Sequence, residues 1–219
     1  MIYAIGIGPG DPQFLPLKSL EILKKADVIS GFETVLNYAR SNLPATAELI
    51  SLNYRNQKEK LKEVGNLSRK GKTCFFCFMG DLSFSGYEFL QNIKTFCEDP
   101  DPVKIPGISS AQIAATRASI PFEDSVFITF HKAAEIEKDK EFLVHALKLG
   151  KSAIIIPRPP DFMPEQICRF LEDEGVPPET TVQIFEYLTL ENEKHYKFQL
   201  GNCRGNFSDM SIIVLQKSL

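Results

Sequence analysis

The sequence predicts an α/β protein of two domains, with a parallel sheet in the N-terminal half and a mixed sheet in the C-terminal half. Three observations carry this. Short apolar runs alternate with amphipathic helical stretches through the first half, the pattern of β-α-β units. Several of those runs end in loops of small residues, at Gly6–Pro12, Gly80–Gly86 and Pro106–Ser110. From Thr181 onward the chain reads as strands joined by short turns, which parallel units alone do not produce. The expected domains are residues 1–118 and 119–219, with the boundary in the Pro121-containing stretch Ser119–Asp124.

Ile2, Ala4, Ile5 and Ile7 form a first strand apolar on both faces, as expected at the centre of a parallel sheet. Leu17, Leu20 and Leu23 give the following helix its stripe. Asp27–Ser30 is the second strand, residues 34–41 a short helix, and Glu48–Leu52 the third strand. The charged stretch Lys58–Lys70 carries Leu61, Val64 and Leu67 on one stripe and stops at Gly71. Thr73–Met79 is the fourth strand. Phe89, Leu90, Ile93, Phe96 and Cys97 then mark an amphipathic helix, ended by Pro100 and Pro102. Val103–Ile105 is a short strand, and Ser109 or Ser110 can cap the helix Ala111–Ala118. In the second half, strands are expected at Val126–Phe130, Ser152–Ile156, Thr181–Glu186, His195–Leu200 and Ser211–Gln216. Helices are expected at Ile136–Leu149 and Pro164–Glu174, the latter with proline in its first turn and Gly175 beyond its end.

The composition excludes several function classes. The 219 residues are 43% hydrophobic and 24% charged, enough for a sizeable core. The net charge of −3 comes with no basic stripe, so no nucleic-acid partner is expected. The apolar runs are too short to span a membrane, and the N-terminus enters a strand at once, so neither a membrane anchor nor a signal peptide is expected. Five cysteines, an odd number, fit a reducing, cytoplasmic setting. Cys74 and Cys77 lie three apart on one strand and so face opposite sides. No second C-x-x-C completes a metal set, and His131, His145 and His195 are scattered, so no metal site is expected.

The candidate chemistry lies in the loops. Gly6-Ile7-Gly8 matches half of a dinucleotide fingerprint, but Asp11 stands where the third glycine would fall and Pro9 intervenes. Glycine lets a ligand approach the backbone. Loops from one parallel sheet open on one edge. The candidate ligand-binding residues are therefore Gly8, Pro9, Gly80, Asp81, Leu82, Phe84, Ser85, Ser109 and Ser110.

Taken together, the loops resemble those of the tetrapyrrole methylases. The residues concerned are G-x-G-P-G-D-P at Gly6–Pro12, then Ala26-Asp27-Val28-Ile29 with Gly31, then Gly80-Asp81 with Ser85-Gly86. Pro106-Gly107-Ile108-Ser109-Ser110-Ala111-Gln112, followed by Ala114, Ala115 and Pro121, resembles the branch of that family that methylates precorrin-7 at carbon-5 in corrin synthesis. The resemblance implies two α/β domains with an inter-domain cleft and a homodimer. It implies S-adenosylmethionine as methyl donor, held folded by the loop residues named above, and a precorrin as substrate. It also implies that a decarboxylating C15-methyltransferase would be a separate protein.

The sequence departs from the family pattern at Leu82, where proline is usual, and at His131-Lys132, where the branch reads His-Gly-Arg. Phe185-Glu186-Tyr187-Leu188 keeps the acid of the branch's Glu-Asn-Leu and loses the amide. Methyl transfer from a sulfonium to an electron-rich carbon needs positioning rather than a side-chain nucleophile. Substrate carboxylates need cationic or hydrogen-bonding partners, for which Lys132 and Arg158 follow strands. Asp11, in the first loop, is a further candidate substrate-binding residue. Arg117 is a weaker candidate on a helix. His131 is the candidate proton acceptor. Rival readings are a methylase of the same family acting on another substrate, a non-catalytic binding protein on this fold, and a nicotinamide-dependent oxidoreductase.

Overall fold

A computed structural model describes residues 1–216. The chain forms two compact units, Met1–Ser109 and Ser110–Leu219.

The first unit is a five-stranded sheet in the order β3-β2-β4-β1-β5, parallel throughout. Its elements are β1 (Ile2–Gly6), α1 (Leu17–Leu23), β2 (Val28–Phe32), α2 (Glu33–Ala39), β3 (Glu48–Leu52), α3 (Gln57–Arg69), β4 (Cys74–Phe78), α4 (Tyr87–Phe96) and β5 (Val103–Ile105). Strands β1 and β4 are almost wholly buried, as their uninterrupted apolar runs require. One face of the sheet packs Ile2, Cys74, Phe76 and Phe78 against Leu61 and Val64 of α3 and Ile93 of α4. The other packs Ile5, Phe75 and Cys77 against Leu23, Val35 and Leu36. The α3 stripe is buried as expected, and Gly65 matters there: a Cβ would stand 2.7 Å from Cys97 Cα, so only glycine lets α3 lie this close to the end of α4. The α1 stripe is only partly core. Leu23 is fully buried and Leu17 is 78% exposed. The helix begins at Leu17, after a separate 3-10 turn at Pro12–Phe14, so its first turn overhangs the sheet.

Cys74 and Cys77 occupy the two opposite faces of the sheet, the geometry expected from their spacing. All five cysteines are free and buried. Burial pushes the Cys74 thiol up to about 11 and those of Cys77 and Cys97 up to about 12. Only the thiolate reacts, so a disulfide reagent near neutral pH should find these thiols inert in the folded protein and titrate five after denaturation. Rapid reaction of Cys74, Cys77 or Cys97 in the native protein, or a missing pair of thiols after denaturation, would contradict this.

The second unit holds α5 (Ser110–Ala118), β6 (Ser125–Thr129), α6 (Glu137–Lys148), β7 (Ser152–Ile156), α7 (Pro164–Asp173), β8 (Thr181–Glu186), β9 (Lys194–Gln199) and β10 (Ser211–Gln216). Its sheet runs β6-β7-β10-β8-β9. Only β6 and β7 are parallel; β10 lies antiparallel to both β7 and β8, and β9 antiparallel to β8. The last strand is therefore inserted at the centre, and its Ile213, Val214 and Leu215 are fully buried. Helix α5, which the sequence places at the end of the first domain, packs on β7 and β10 through its small buried face Ala111, Ala114, Ala115 and Ala118. The Gln216 side chain fastens it by donating to the Ala118 carbonyl at 2.8 Å.

Candidate functional site

In the first unit β1 lies between β4 and β5, so the loops leaving these three strands meet at the carboxyl edge of the sheet. They meet backbone to backbone. The Ile7 N–H donates to the Phe78 carbonyl at 3.0 Å, and Gly8 and Gly80 exchange two hydrogen bonds of 3.2 and 2.7 Å. Glycine is required for this contact. A Cβ on Gly6 would lie 2.6 Å from Gly107 N and 2.7 Å from Gly80 O; one on Gly107 would lie 2.1 Å from Gly80 O. Gly8, at φ +85°, also abuts the Phe14 carbonyl, 2.8 Å from where its Cβ would be.

At Gly6 and Gly107, then, the space left by the missing side chain is filled by neighbouring loops, not kept open for a ligand. The sequence reading of glycine as a means of ligand approach needs this correction. Motif spacing shows where glycines recur along the chain, but not that remote ones are pressed together.

Asp81 completes the seam. Its side chain is only 6% exposed. Oδ1 accepts from the Ser83 N–H and Oδ2 from the Gly107 N–H, each at 2.7 Å. The carboxylate thus clasps its own loop and the loop after β5. Ser19 Oγ donates to the Gly6 carbonyl at 3.2 Å from beneath. Leu82 is packed into the core with Phe78 and Ile93. A ligand here would therefore meet the Leu82 backbone. Ser85 is exposed and held at φ +60°, a strained conformation for a non-glycine residue. Pro9 and Ser109 are buried, Phe84 is half-buried, and Ser110 is the first residue of α5. Asp11 caps the 3-10 turn, accepting from the Gln13 N–H at 2.8 Å.

In the second unit His131-Lys132 and Arg158 follow the carboxyl ends of the adjacent parallel strands β6 and β7. His131 is exposed, and its N–H donates to Thr129 Oγ1 at 3.2 Å. Both cations already have partners. Lys132 Nζ is 2.5 Å from Asp139, and Arg158 grips Asp161 through two hydrogen bonds of 3.0 and 2.7 Å. That grip holds the Asp161 carboxyl below its ordinary range. The turn that holds Arg158, flanked by Pro157 and Pro159, thus directs its side chain toward Asp161. Arg117 is paired with Glu193 at 2.7 Å.

The family model of the tetrapyrrole (corrin/porphyrin) methylases matches residues 1–203. The chain belongs to the tetrapyrrole methylases. Among similar proteins is a probable cobalt-precorrin-7 C(5)-methyltransferase of Methanocaldococcus jannaschii, 32% identical over 99% of this chain and 98% of the relative. A uroporphyrinogen-III C-methyltransferase of the same organism is 29% identical over 92% of this chain and 87% of its own. Two solved structures share the fold. The methyltransferase CobJ superposes with a TM-score of 0.82 at 16% identity, covering 99% of this chain and 94% of its own. The precorrin-6Y methylase CbiE of Archaeoglobus fulgidus superposes with a TM-score of 0.70 at 19% identity, covering 100% and 98%.

Set against this tetrapyrrole methylase fold, two features have a setting that the sequence reading does not give. One is Glu186 at the end of β8, 4% exposed, which accepts from the Ser208 N–H and from the Tyr196 hydroxyl at 3.3 Å. Non-glycine residues at positive φ follow it, Tyr187 at +52° and Thr189 at +73°. The other is the β3–α3 loop, where Asn53 and Asn56 flank Tyr54 and Arg55. An Asn-x-x-Asn immediately before a helix is a legible turn signal. Among the described residues no group of acidic, histidine or cysteine side chains could hold a metal ion, and no helix is long and apolar enough to cross a membrane.

Proposed function

We propose that this tetrapyrrole methylase transfers a methyl group from S-adenosylmethionine to carbon-5 of precorrin-7 or its cobalt form, in cobalamin synthesis. One observation carries the reading: the near end-to-end match, at 32% identity, to the probable cobalt-precorrin-7 C(5)-methyltransferase. The methyl donor supplies an activated sulfonium methyl group, so the protein's own task is placement. Placement can account for about 7–11 kcal/mol of a barrier. The three-loop seam suits that task. It brings main chain and small residues together at Pro9, Gly80, Ser85 and Ser109, locked by Asp81 rather than by mobile groups.

The cofactor residues are then Gly8, Pro9, Gly80, Leu82, Phe84, Ser85, Ser109 and Ser110, with Asp81 holding the loops. Lys132 and Arg158 are the partners for substrate carboxylates, Asp11 is a further substrate-binding residue that can only accept hydrogen bonds, and His131 takes the proton released from the methylated carbon. Lys132 and Arg158 must exchange Asp139 and Asp161 for the substrate, which lowers the net gain from each. The family resemblance adds a homodimer, which sedimentation would test.

Calorimetry should show S-adenosylhomocysteine binding to the protein alone. A precorrin-7 preparation incubated with 13C-methyl donor should gain one labelled methyl, placed at carbon-5 by NMR. Label at another ring carbon would keep the donor and replace the substrate assignment. Binding of the macrocycle without any transfer would leave a non-catalytic binding protein.

A further inference from the structure

The loop between β3 and α3 is braced by its own side chains. Asn53 Oδ1 accepts from the N–H groups of Arg55 and Asn56, both at 2.9 Å, and Asn56 Oδ1 accepts from the Asn53 N–H at 2.8 Å. These bonds fix the main chain without using the side chains at the tip. The tip presents Tyr54, 82% exposed, and Arg55 beside it.

Tyr54 is backed by aromatic rings. Its centroid lies 5.1 Å from Phe32, the last residue of β2. Phe32 lies 5.5 Å from Phe89 of α4, and Phe89 lies 4.7 Å from Phe78 at the end of β4. The rings thus run from the loop tip to the helix that follows Gly80–Gly86. Strands β2 and β3 are parallel to β4 and β1, so this tip rises from the same sheet edge as the seam.

Arg55, like Arg40, differs from the other five arginines of the chain. Arg69, Arg117, Arg158, Arg169 and Arg204 each sit against a carboxylate. Among the described residues the Arg55 guanidinium has no such partner. A carboxylate arriving there displaces only water, whereas one arriving at Arg158 or Lys132 must displace an aspartate.

We infer that Tyr54 and Arg55 form a substrate subsite on the first unit, Tyr54 stacking on the face of the conjugated macrocycle and Arg55 forking onto one of its peripheral carboxylates. The inference rests on the proposed function for its substrate class. Offset stacking suits an exposed ring already supported from behind. The planar guanidinium suits bidentate carboxylate binding. The braced loop reduces the ordering cost on binding.

The test uses uroporphyrin III, a conjugated macrocycle with acetate and propionate arms, titrated by fluorescence against the intact protein. S-adenosylhomocysteine affinity and melting temperature are followed alongside. Tyr54→Ala and Arg55→Gln should each weaken uroporphyrin binding by about ten- to a hundredfold. Tyr54→Phe should retain binding, and Arg55→Lys should fall between wild type and Arg55→Gln, with cofactor affinity unchanged throughout. Unchanged uroporphyrin affinity in both Tyr54→Ala and Arg55→Gln overturns the subsite and leaves the methyltransferase reading in place. A wild-type protein that binds S-adenosylhomocysteine but no uroporphyrin overturns the subsite as well. A protein that transfers no methyl group, yet loses uroporphyrin with Tyr54 and Arg55, keeps the subsite and loses the reading.

Discussion

Alanine at position 107 should separate the three loops of the first unit. Its Cβ would lie 2.1 Å from Gly80 O and 2.8 Å from two backbone atoms of Gly6. None of these is the end of a flexible side chain, so the backbone itself must move by an ångström or so. Overpacking of this kind costs about 1–3 kcal/mol, and the absence of any soft neighbour puts Gly107→Ala at the top of that range. For a chain of this size that lowers the melting temperature by roughly 6–12 °C. The functional effect should be larger, since misplacing a bound reactant by about 1 Å can cost about a hundredfold in rate. Gly150→Ala is the control. Nothing lies within 4 Å of its Cβ, so only its φ of +76° is strained, at about 1–2 kcal/mol. Denaturant titration and S-adenosylhomocysteine calorimetry on the two variants should separate them clearly. Equal behaviour would mean that the loops part without consequence.

Asp81→Ala should be the second severe change. It removes both acceptors from the clasp, leaving the Ser83 and Gly107 N–H groups without their partner. A hydrogen bond to a charged group contributes about 1.5–3 kcal/mol, and two made by one carboxylate do not add fully. Asn in place of Asp81 keeps one acceptor and turns an NH2 toward a backbone N–H, so it should rescue little. The informative readout is cofactor affinity at temperatures where both variants remain folded. Asp81→Ala should lose S-adenosylhomocysteine binding while a change of the exposed Ser83 side chain does not. Wild-type affinity in Asp81→Ala would show that the loops stay together without the clasp.

The strands were legible where burial leaves no ambiguity. Cys74–Phe78 is apolar at every position, and only a strand covered on both faces asks for that. The stripes of α3 and α4 were legible because helix period and core contact coincide. The exposed Leu17 shows the limit: period gives the face of a helix, but not whether its first turn lies over the sheet. The central insertion of β10 was equally hidden. Pairing Ile213 with both Ile155 and Ile184 is non-local, and three similar apolar strands do not say which lies in the middle.

Within the candidate site, the loops could be read and their contacts could not. Gly6, Gly80 and Gly107 are remote in sequence, so nothing in any one motif announces that each fills another's missing side chain. Asp161 stands three residues after Arg158, visible as a possible partner, but only the turn closed by the Arg158–Phe162 bridge makes it the actual one.

The seam has a consequence for how such a protein diverges. Its joints are main-chain atoms, glycines and one carboxylate, so exchanging a side chain elsewhere on the loops leaves the joints where they were. Loop tips such as Tyr54–Arg55 stand outside it, braced by their own asparagines. Mutational drift can therefore rewrite what the tips recognise in single steps, each tolerated by the fold, while the four positions Gly6, Gly8, Asp81 and Gly107 admit almost no trial at all. A library aimed at new ring substrates belongs at the tips, and one aimed at the glycines should return mostly unfolded or inactive chains.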